Sequence, residues 1–430
     1  MNYLCSMRVL IVNTSENTGG AAVAANRLME ALINNGVKAK MLVRDKSTDC
    51  ITVVGLKSAF WGQWHFLWER LVIYLKAHFS KQHLFEMDIA NSGTDITGLP
   101  EFKEADLIHL HWINQGMLSL KNIRRILESG KPVVWTMHDL WPATAICHIT
   151  FDCRSFMGEC QHCRLLPQGG SRSDMANKVW HQKKTLYSHH NISFVACSKW
   201  LAAEAKKSSL LRGQSVVNIP NPIDTRVFCP GDRQSAALSV GLPSDRHIIL
   251  FVSQRATNPN KGMDYLVQAC QLLAEQHPEL KETTAVAILG GHSDEVTEQL
   301  PFAAFPLGYV NDTRHIVQVY RSVDVFVLPS LSENLPNTIM EAMSCGVPCV
   351  GFRVGGIPEM IDHQKNGYVA NYRDAADLAK GLYWVLHEAD TAQMSKEAVR
   401  KVTVSYSQTA VASRYIEVYN QALAFKHYKI

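Results

Sequence analysis

Short apolar runs alternate with amphipathic stretches of helical spacing along the whole chain, and that order predicts an α/β organisation. Residues 9–12 read as a buried strand, 14–20 as a loop, 21–35 as a helix stopped by Gly36, and 39–43 as the next strand. Further strands are predicted at 107–111, 133–137, 194–197 and 215–219. Such compact apolar runs suit strands covered on both faces, as in a parallel sheet. Pro220 and Pro222 then exclude helix and mark a linker. A second series follows, with strands at 248–252, 285–289, just before Gly308, 325–328 and 347–351, and helices at 262–276, 374–387 and 407–425. The expected domains are 1–218 and 229–406, joined by a linker at 219–228 and followed by a terminal helix at 407–430.

The stretch 329–348, Pro-Ser-Leu-Ser-Glu-Asn-Leu-Pro-Asn-Thr-Ile-Met-Glu-Ala-Met-Ser-Cys-Gly-Val-Pro, follows an apolar strand and carries the most chemistry. Pro336 is predicted in a first helical turn, where its missing N–H costs nothing, with 338–344 as helix and Gly346 as its stop. The backbone N–H groups of Asn334 and Leu335 then face a ligand oxygen at the positive end of a helix dipole. Glu333 in the loop and Glu341 in the helix can each accept two hydrogen bonds from a vicinal diol.

This stretch resembles the Glu-x7-Glu motif of the retaining nucleotide-sugar glycosyltransferases of the GT-B fold, family 4, and the resemblance covers nearly the whole chain. It points to the bacterial exopolysaccharide, capsule and O-antigen enzymes of the colanic-acid type. The resemblance implies an α/β GT-B fold: two facing Rossmann-like domains, a cleft between them, and a C-terminal helix crossing back. It implies a nucleotide-diphosphate sugar donor, a glycan or lipid-linked glycan acceptor, and Glu333 on the donor sugar with Glu341 on the ribose.

The other segments fit that frame. Gly19 and Gly20 join a strand to a helix and let backbone approach a phosphate or sugar, although the loop is no Gly-x-Gly-x-x-Gly fingerprint. By resemblance they lie under the donor diphosphate. Arg255 ends a strand and Lys261 precedes a helix, so the two cations can converge on a departing diphosphate, where the family also carries Arg and Lys. With no Asp-x-Asp in the sequence, no metal cofactor is expected for catalysis. His138 and Asp139 fall at the end of an apolar strand; the alternatives are a structural hydrogen-bonded pair and, by resemblance, a His138 that touches the reacting sugar's hydroxyls without acting as general base. The backbone at Tyr309 and Val310 is implied to hold the nucleotide base.

His109 and His111 share a strand face, but no third ligand lies nearby in sequence, while Trp112 and Trp141 offer stacking surfaces for an acceptor sugar. Cys147, Cys153, Cys160 and Cys163 fall in one loop; a structural zinc site competes there with free or redox-labile thiols. Phe60, Trp64, Leu67, Leu71 and Leu75 share one helical face with Lys76 and Lys81 beyond. That helix either rests at a membrane interface or packs on the sheet.

Composition narrows the classes further. With 47% hydrophobic and 19% charged residues the chain is ordinary for a folded protein of two domains, and a formal charge of +4 over 430 residues gives no electrostatic case for nucleic acid. No run approaches the length of a membrane span, and the first residues carry no signal-peptide pattern, so a cytoplasmic protein is expected, peripheral at the inner face of the plasma membrane; Met7 competes with Met1 as the start. Two rivals remain: a nucleotide-sugar epimerase on the same plan, and a non-catalytic sugar-nucleotide-binding partner in an assembly complex.

Overall fold

The computed structural model describes residues 7–427, so Met1, its claim as the start and the last three residues lie outside the described residues. The chain divides into two compact units, one made of residues 1–221 and 411–430, the other of 222–410. The divisions fall three residues beyond the expected linker start and four into the expected terminal segment, since Ile219 packs in the first unit and Ile223 pairs with Tyr406 in the second.

In the first unit seven strands form one parallel sheet: β1 (Arg8–Ser15), β2 (Lys38–Asp45), β3 (Val53–Gly55), β4 (Leu107–Leu110), β5 (Val133–Met137), β6 (Ser193–Ala196) and β7 (Ser215–Asn218). Their spatial order is β3-β2-β1-β4-β5-β6-β7. The chain therefore reverses its direction of travel across the sheet between β1 and β4. In the second unit β8 (His247–Arg255), β9 (Thr284–Gly291), β10 (Ala303–Gly308), β11 (Val325–Leu328), β12 (Cys349–Phe352) and β13 (Gly367–Ala370) lie in the order β10-β9-β8-β11-β12-β13, with the reversal between β8 and β11. The central strands are buried over most of their length, which explains why the sequence shows apolar runs rather than alternation. β3 and β13 escape the sequence pattern because each offers only a short apolar run at a sheet edge.

Helix α1 (Gly20–Asn34) covers the first sheet through Ala25, Leu28 and Leu32, and helix α2 (Ala59–Lys76) follows β3. In the second unit α3 (Met263–Gln276) follows β8 and α4 (Asn337–Ser344) follows β11. Pro336 stands one place before the expected first turn, as the N-cap with φ −67 and ψ 120, so its ring ends the loop rather than opening the helix. Helix α5 (Gln408–His427) returns from Val411 onward to the first sheet, where Val411, Ala412, Tyr415 and Tyr419 join the core containing Val9 and Ile11.

Three loops of the second unit are locked by glycine. Gly262 has φ +73, and a Cβ there would stand 1.9 Å from the Pro329 carbonyl oxygen; Gly355 has φ +54, and its Cβ would stand 1.6 Å from the Glu333 carbonyl oxygen. Both positions need glycine for conformation and for space. Gly241, with φ +74 and nothing within 4 Å, needs it for conformation alone. Gly241→Ala should therefore cost about 1–2 kcal/mol of left-handed strain, and Gly355→Ala at least about 3 kcal/mol, read as urea-unfolding midpoints. Equal losses would contradict the close packing of the 329–336 loop.

Candidate functional site

In an open parallel sheet the carboxyl ends of the strands at a reversal diverge and leave a crevice, the usual place for a ligand. Each unit has one, and the sequence-predicted residues collect there. In the second unit β8 ends at Arg255 and β11 ends just before Pro329. The Asn260 carbonyl accepts from the Leu331 N–H at 2.8 Å, which ties the loop after β8 to the loop after β11.

Across this seam Lys261 Nζ donates to Glu333 Oε1, which also accepts from Ser330 Oγ at 3.0 Å. Glu333 Oε2 has no partner among the described residues. Arg255 is exposed and forms no ion pair among the described residues; its Nε donates to Thr257 Oγ1 at 3.0 Å. The two free cations expected from the sequence are thus one free guanidinium and one ammonium already balanced by Glu333. Glu341 is buried on α4 and accepts from the Tyr320 hydroxyl at 2.9 Å. Asn334 is half-buried, whereas Leu335 has its side chain in the interior. At the end of β10, Gly308 donates its N–H to Ser293 Oγ, and Tyr309 beyond it is exposed beside a half-buried Val310.

In the first unit the loop after β1 meets the end of β4. The Trp112 N–H donates to Asn13 Oδ1 at 2.9 Å and the Thr14 N–H donates to the Trp112 carbonyl at 2.8 Å. Gly19, at φ +89, caps α1 with nothing within 4 Å of where a Cβ would stand, and Gly20 begins the helix. Glu16, which sequence reasoning passed over, is buried and accepts from the N–H groups of Ser47 and Thr48 at 2.6 and 2.9 Å. It anchors the loop to the end of β2.

The expected acceptor contacts of Asp139 and Trp141 are corrected here, and His138 faces inward. The nitrogens of His138 face inward, Nε2 to His111 Nδ1 at 2.9 Å and Nδ1 to Cys197 Sγ at 3.5 Å, so touching a sugar hydroxyl requires the ring to turn. Burial pulls its pKa down to about 4 against the pull of Asp139, so it is neutral near pH 7. Asp139 offers no free oxygen: Oδ1 accepts from the Trp141 N–H at 2.8 Å, Oδ2 from Trp112 Nε1 at 3.0 Å and from His148 Nδ1 at 2.7 Å. Trp141 lies in the core, its Nε1 donating to the Asp88 carbonyl, and cannot stack on an acceptor. Trp112 stays partly exposed, held by Asp139, and keeps that capacity.

The residues considered as metal ligands lie in the same unit. His109 meets Thr136 and Tyr419 through its two nitrogens, each at 2.7 Å. Cys147, Cys153, Cys160 and Cys163 are free thiols, and among the described residues no group of three metal-ligating side chains is arranged to hold an ion. Burial pushes the Cys160 and Cys163 thiols up to about 12, with Cys147 and Cys153 among their electrostatic neighbours.

One buried charge was not visible from spacing. His148 lies between Asp139, at 2.7 Å, and Asp88, whose Oδ2 is 2.6 Å from Nε2. Burial alone would lower its pKa, but the two carboxylates outweigh burial and push it up to about 10. Its folded pKa exceeds the ordinary value, so its contribution to stability is complete below about pH 6.5 and is lost as pH rises through about 10. His148→Gln should lower stability at pH 7 by about 3 kcal/mol or more, measured by urea unfolding. The deficit should shrink toward pH 10; a deficit that stays constant would mean that no imidazolium stands there.

With this geometry in view, the comparisons with known proteins are specific. Residues 18–227 match the family model described as Glycosyltransferase Family 4, and residues 246–388 match the one described as Glycosyl transferases group 1. A D-inositol 3-phosphate glycosyltransferase of Saccharomonospora viridis is 29% identical over 213 residues, 47% of this chain and 49% of that protein. The chain thus spans about half the length of the curated relatives it matches. Among solved structures, a glycosyltransferase of Rickettsia africae aligns over 97% of this chain and 99% of its own with a TM-score of 0.64 at 16% identity. Anabaena HepE in complex with UDP and glucose aligns over 96% and 100% with a TM-score of 0.61 at 16% identity. At such identity the likeness shows the fold, which is GT-B. One family model on each unit accounts for most of the sequence, and the chain belongs to the family 4, group 1 glycosyltransferases.

Proposed function

We propose that this protein is a retaining glycosyltransferase that moves a sugar from a nucleotide-diphosphate donor to a glycan or lipid-linked glycan in surface-polysaccharide assembly. The observation that carries the reading is the seam of the second unit, where Arg255, Lys261, Glu333 and Glu341 collect at the sheet reversal. Arg255 stabilises the negative charge that grows on the diphosphate as the sugar bond breaks, where a fixed cation acts more strongly than in the ground state. Lys261 exchanges Glu333 for the diphosphate and frees the carboxylate for the donor sugar. Glu341, oriented by Tyr320, takes the ribose diol. The backbone at Asn334 and Leu335 faces the donor, Gly19 and Gly20 let it approach, and the backbone at Tyr309 and Val310 receives the base.

His138, neutral and held by His111, is given by the family resemblance a contact with sugar hydroxyls that requires its ring to turn, and Trp112 offers the acceptor its face. The complex of HepE with UDP and glucose supports a uridine-linked donor. The relatives named for D-inositol 3-phosphate make a phosphorylated polyol the competing acceptor. Arg255→Ala should lower kcat by about 10²-fold or more while changing donor affinity far less, in an assay of nucleotide release with acceptor present. Unchanged turnover would remove Arg255 from the mechanism, and conversion of the sugar nucleotide without acceptor would favour an epimerase.

A further inference from the structure

Helix α2 buries a charged pair beside Ile73 and leaves an apolar face exposed. Its inner face carries charge: Glu69 Oε1 accepts from the N–H groups of Ile89 and Ala90 at 2.9 and 2.7 Å, and Arg70 donates to the Leu84 and Met87 carbonyls at 2.6 and 3.0 Å and to Asp88. Both side chains are buried. Its outer face is apolar: Phe60, Trp64, Leu67, Trp68, Leu71 and Leu75 recur at helical spacing and are between 43% and 68% exposed. The sequence left open whether the helix packs on the sheet; it does so through Ile73 and Val72, which leaves this arc facing outward.

The helix cannot roll to hide that arc, because rolling would strip Glu69 and Arg70 of buried partners, a loss of several kcal/mol. Its backbone is also pinned, since a Cβ on Gly116 would stand 2.5 Å from the Phe66 nitrogen. Past the helix Phe79, edge-on to Tyr74, and Phe85, under the Arg70 guanidinium, are both about two-thirds exposed. Phe79 and the preceding His78 hold positive φ values of 64° and 51° in the turn between.

Charge selects the occupant. From residue 57 to residue 86 the exposed charged side chains are Lys57, Lys76, Lys81 and Glu86, three cations to one acid that pairs with His83, while Glu69 is buried. An aromatic and leucine arc with cations at both ends matches the interface of a bilayer carrying anionic headgroups. No helix among the described residues is long and apolar enough to cross a membrane, so α2 would lie along the surface. We propose that the outer face of α2 with Phe79 and Phe85 docks this protein on an anionic lipid surface. The inference deepens the lipid-linked-acceptor reading above and rests on it for its purpose.

The test is flotation of the full chain with phosphatidylcholine vesicles, with and without phosphatidylglycerol. The protein should float with the anionic vesicles. Trp64→Gln combined with Leu71→Gln should weaken partitioning by about tenfold or more, and Lys76→Glu combined with Lys81→Glu by about tenfold, with far-ultraviolet circular dichroism unchanged in both. No binding by the wild type, or binding that both variants retain, would overturn the proposal. So would self-association in sedimentation velocity that the Trp64/Leu71 variant abolishes while vesicles go unbound, which would make the arc a face between copies. Vesicle binding needs no donor, so its failure is separable from a failure to bind nucleotide sugar.

Discussion

The close approach of Gly262 and Gly355 to the carbonyl oxygens of Pro329 and Glu333 fixes the loop on which the proposed chemistry depends. These contacts clamp the 329–336 loop from both sides. They set where Glu333 stands at the end of β11, and the Leu331–Asn260 hydrogen bond brings Lys261 to it. Without the clamp a loop rich in serine, asparagine and proline would have little reason to hold one conformation. The sheet reversal between β8 and β11 supplies the opening, and the glycines supply the rigidity.

The first unit solves a different problem, that of keeping titratable groups close together under cover. His109 and His111 lie with ring centroids 4.3 Å apart, and burial pulls both well below the usual imidazole range, His109 to about 3. His148 goes the other way because two carboxylates face it. Burial depresses an imidazole unless an anion answers it, and this fold uses both outcomes within a few strand ends. The same buried charges reach outward through Asp88 to Arg70, so the orientation of α2 and that of Asp139 share one network.

Much of the fold was legible because parallel strands leave compact apolar runs; β1, β5 and β11 could be placed from these alone. The Glu-x7-Glu stretch was equally legible, since Pro336, Gly346 and the flanking strand fix its local form. Partners were not legible. Nothing in the local pattern shows that Lys261 is balanced by Glu333 72 residues away, or that His148 lies between Asp139 and an Asp88 60 residues upstream. Trp141 misled because an aromatic at a strand end reads alike whether it faces a ligand or the core. The helical face at 60–75 was visible, but its direction followed from Glu69 and Arg70, whose burial only tertiary structure reveals.

The central claim is that the seam around Glu333 and Glu341 binds a nucleotide sugar. A thermal-shift series with UDP, GDP, ADP and CMP sugars, run on the wild type and on Glu341→Ala, tests it most directly. The account predicts a stabilising shift with one nucleotide class that the variant loses. A wild-type shift that Glu341→Ala retains in full, or no shift with any sugar nucleotide, would contradict it.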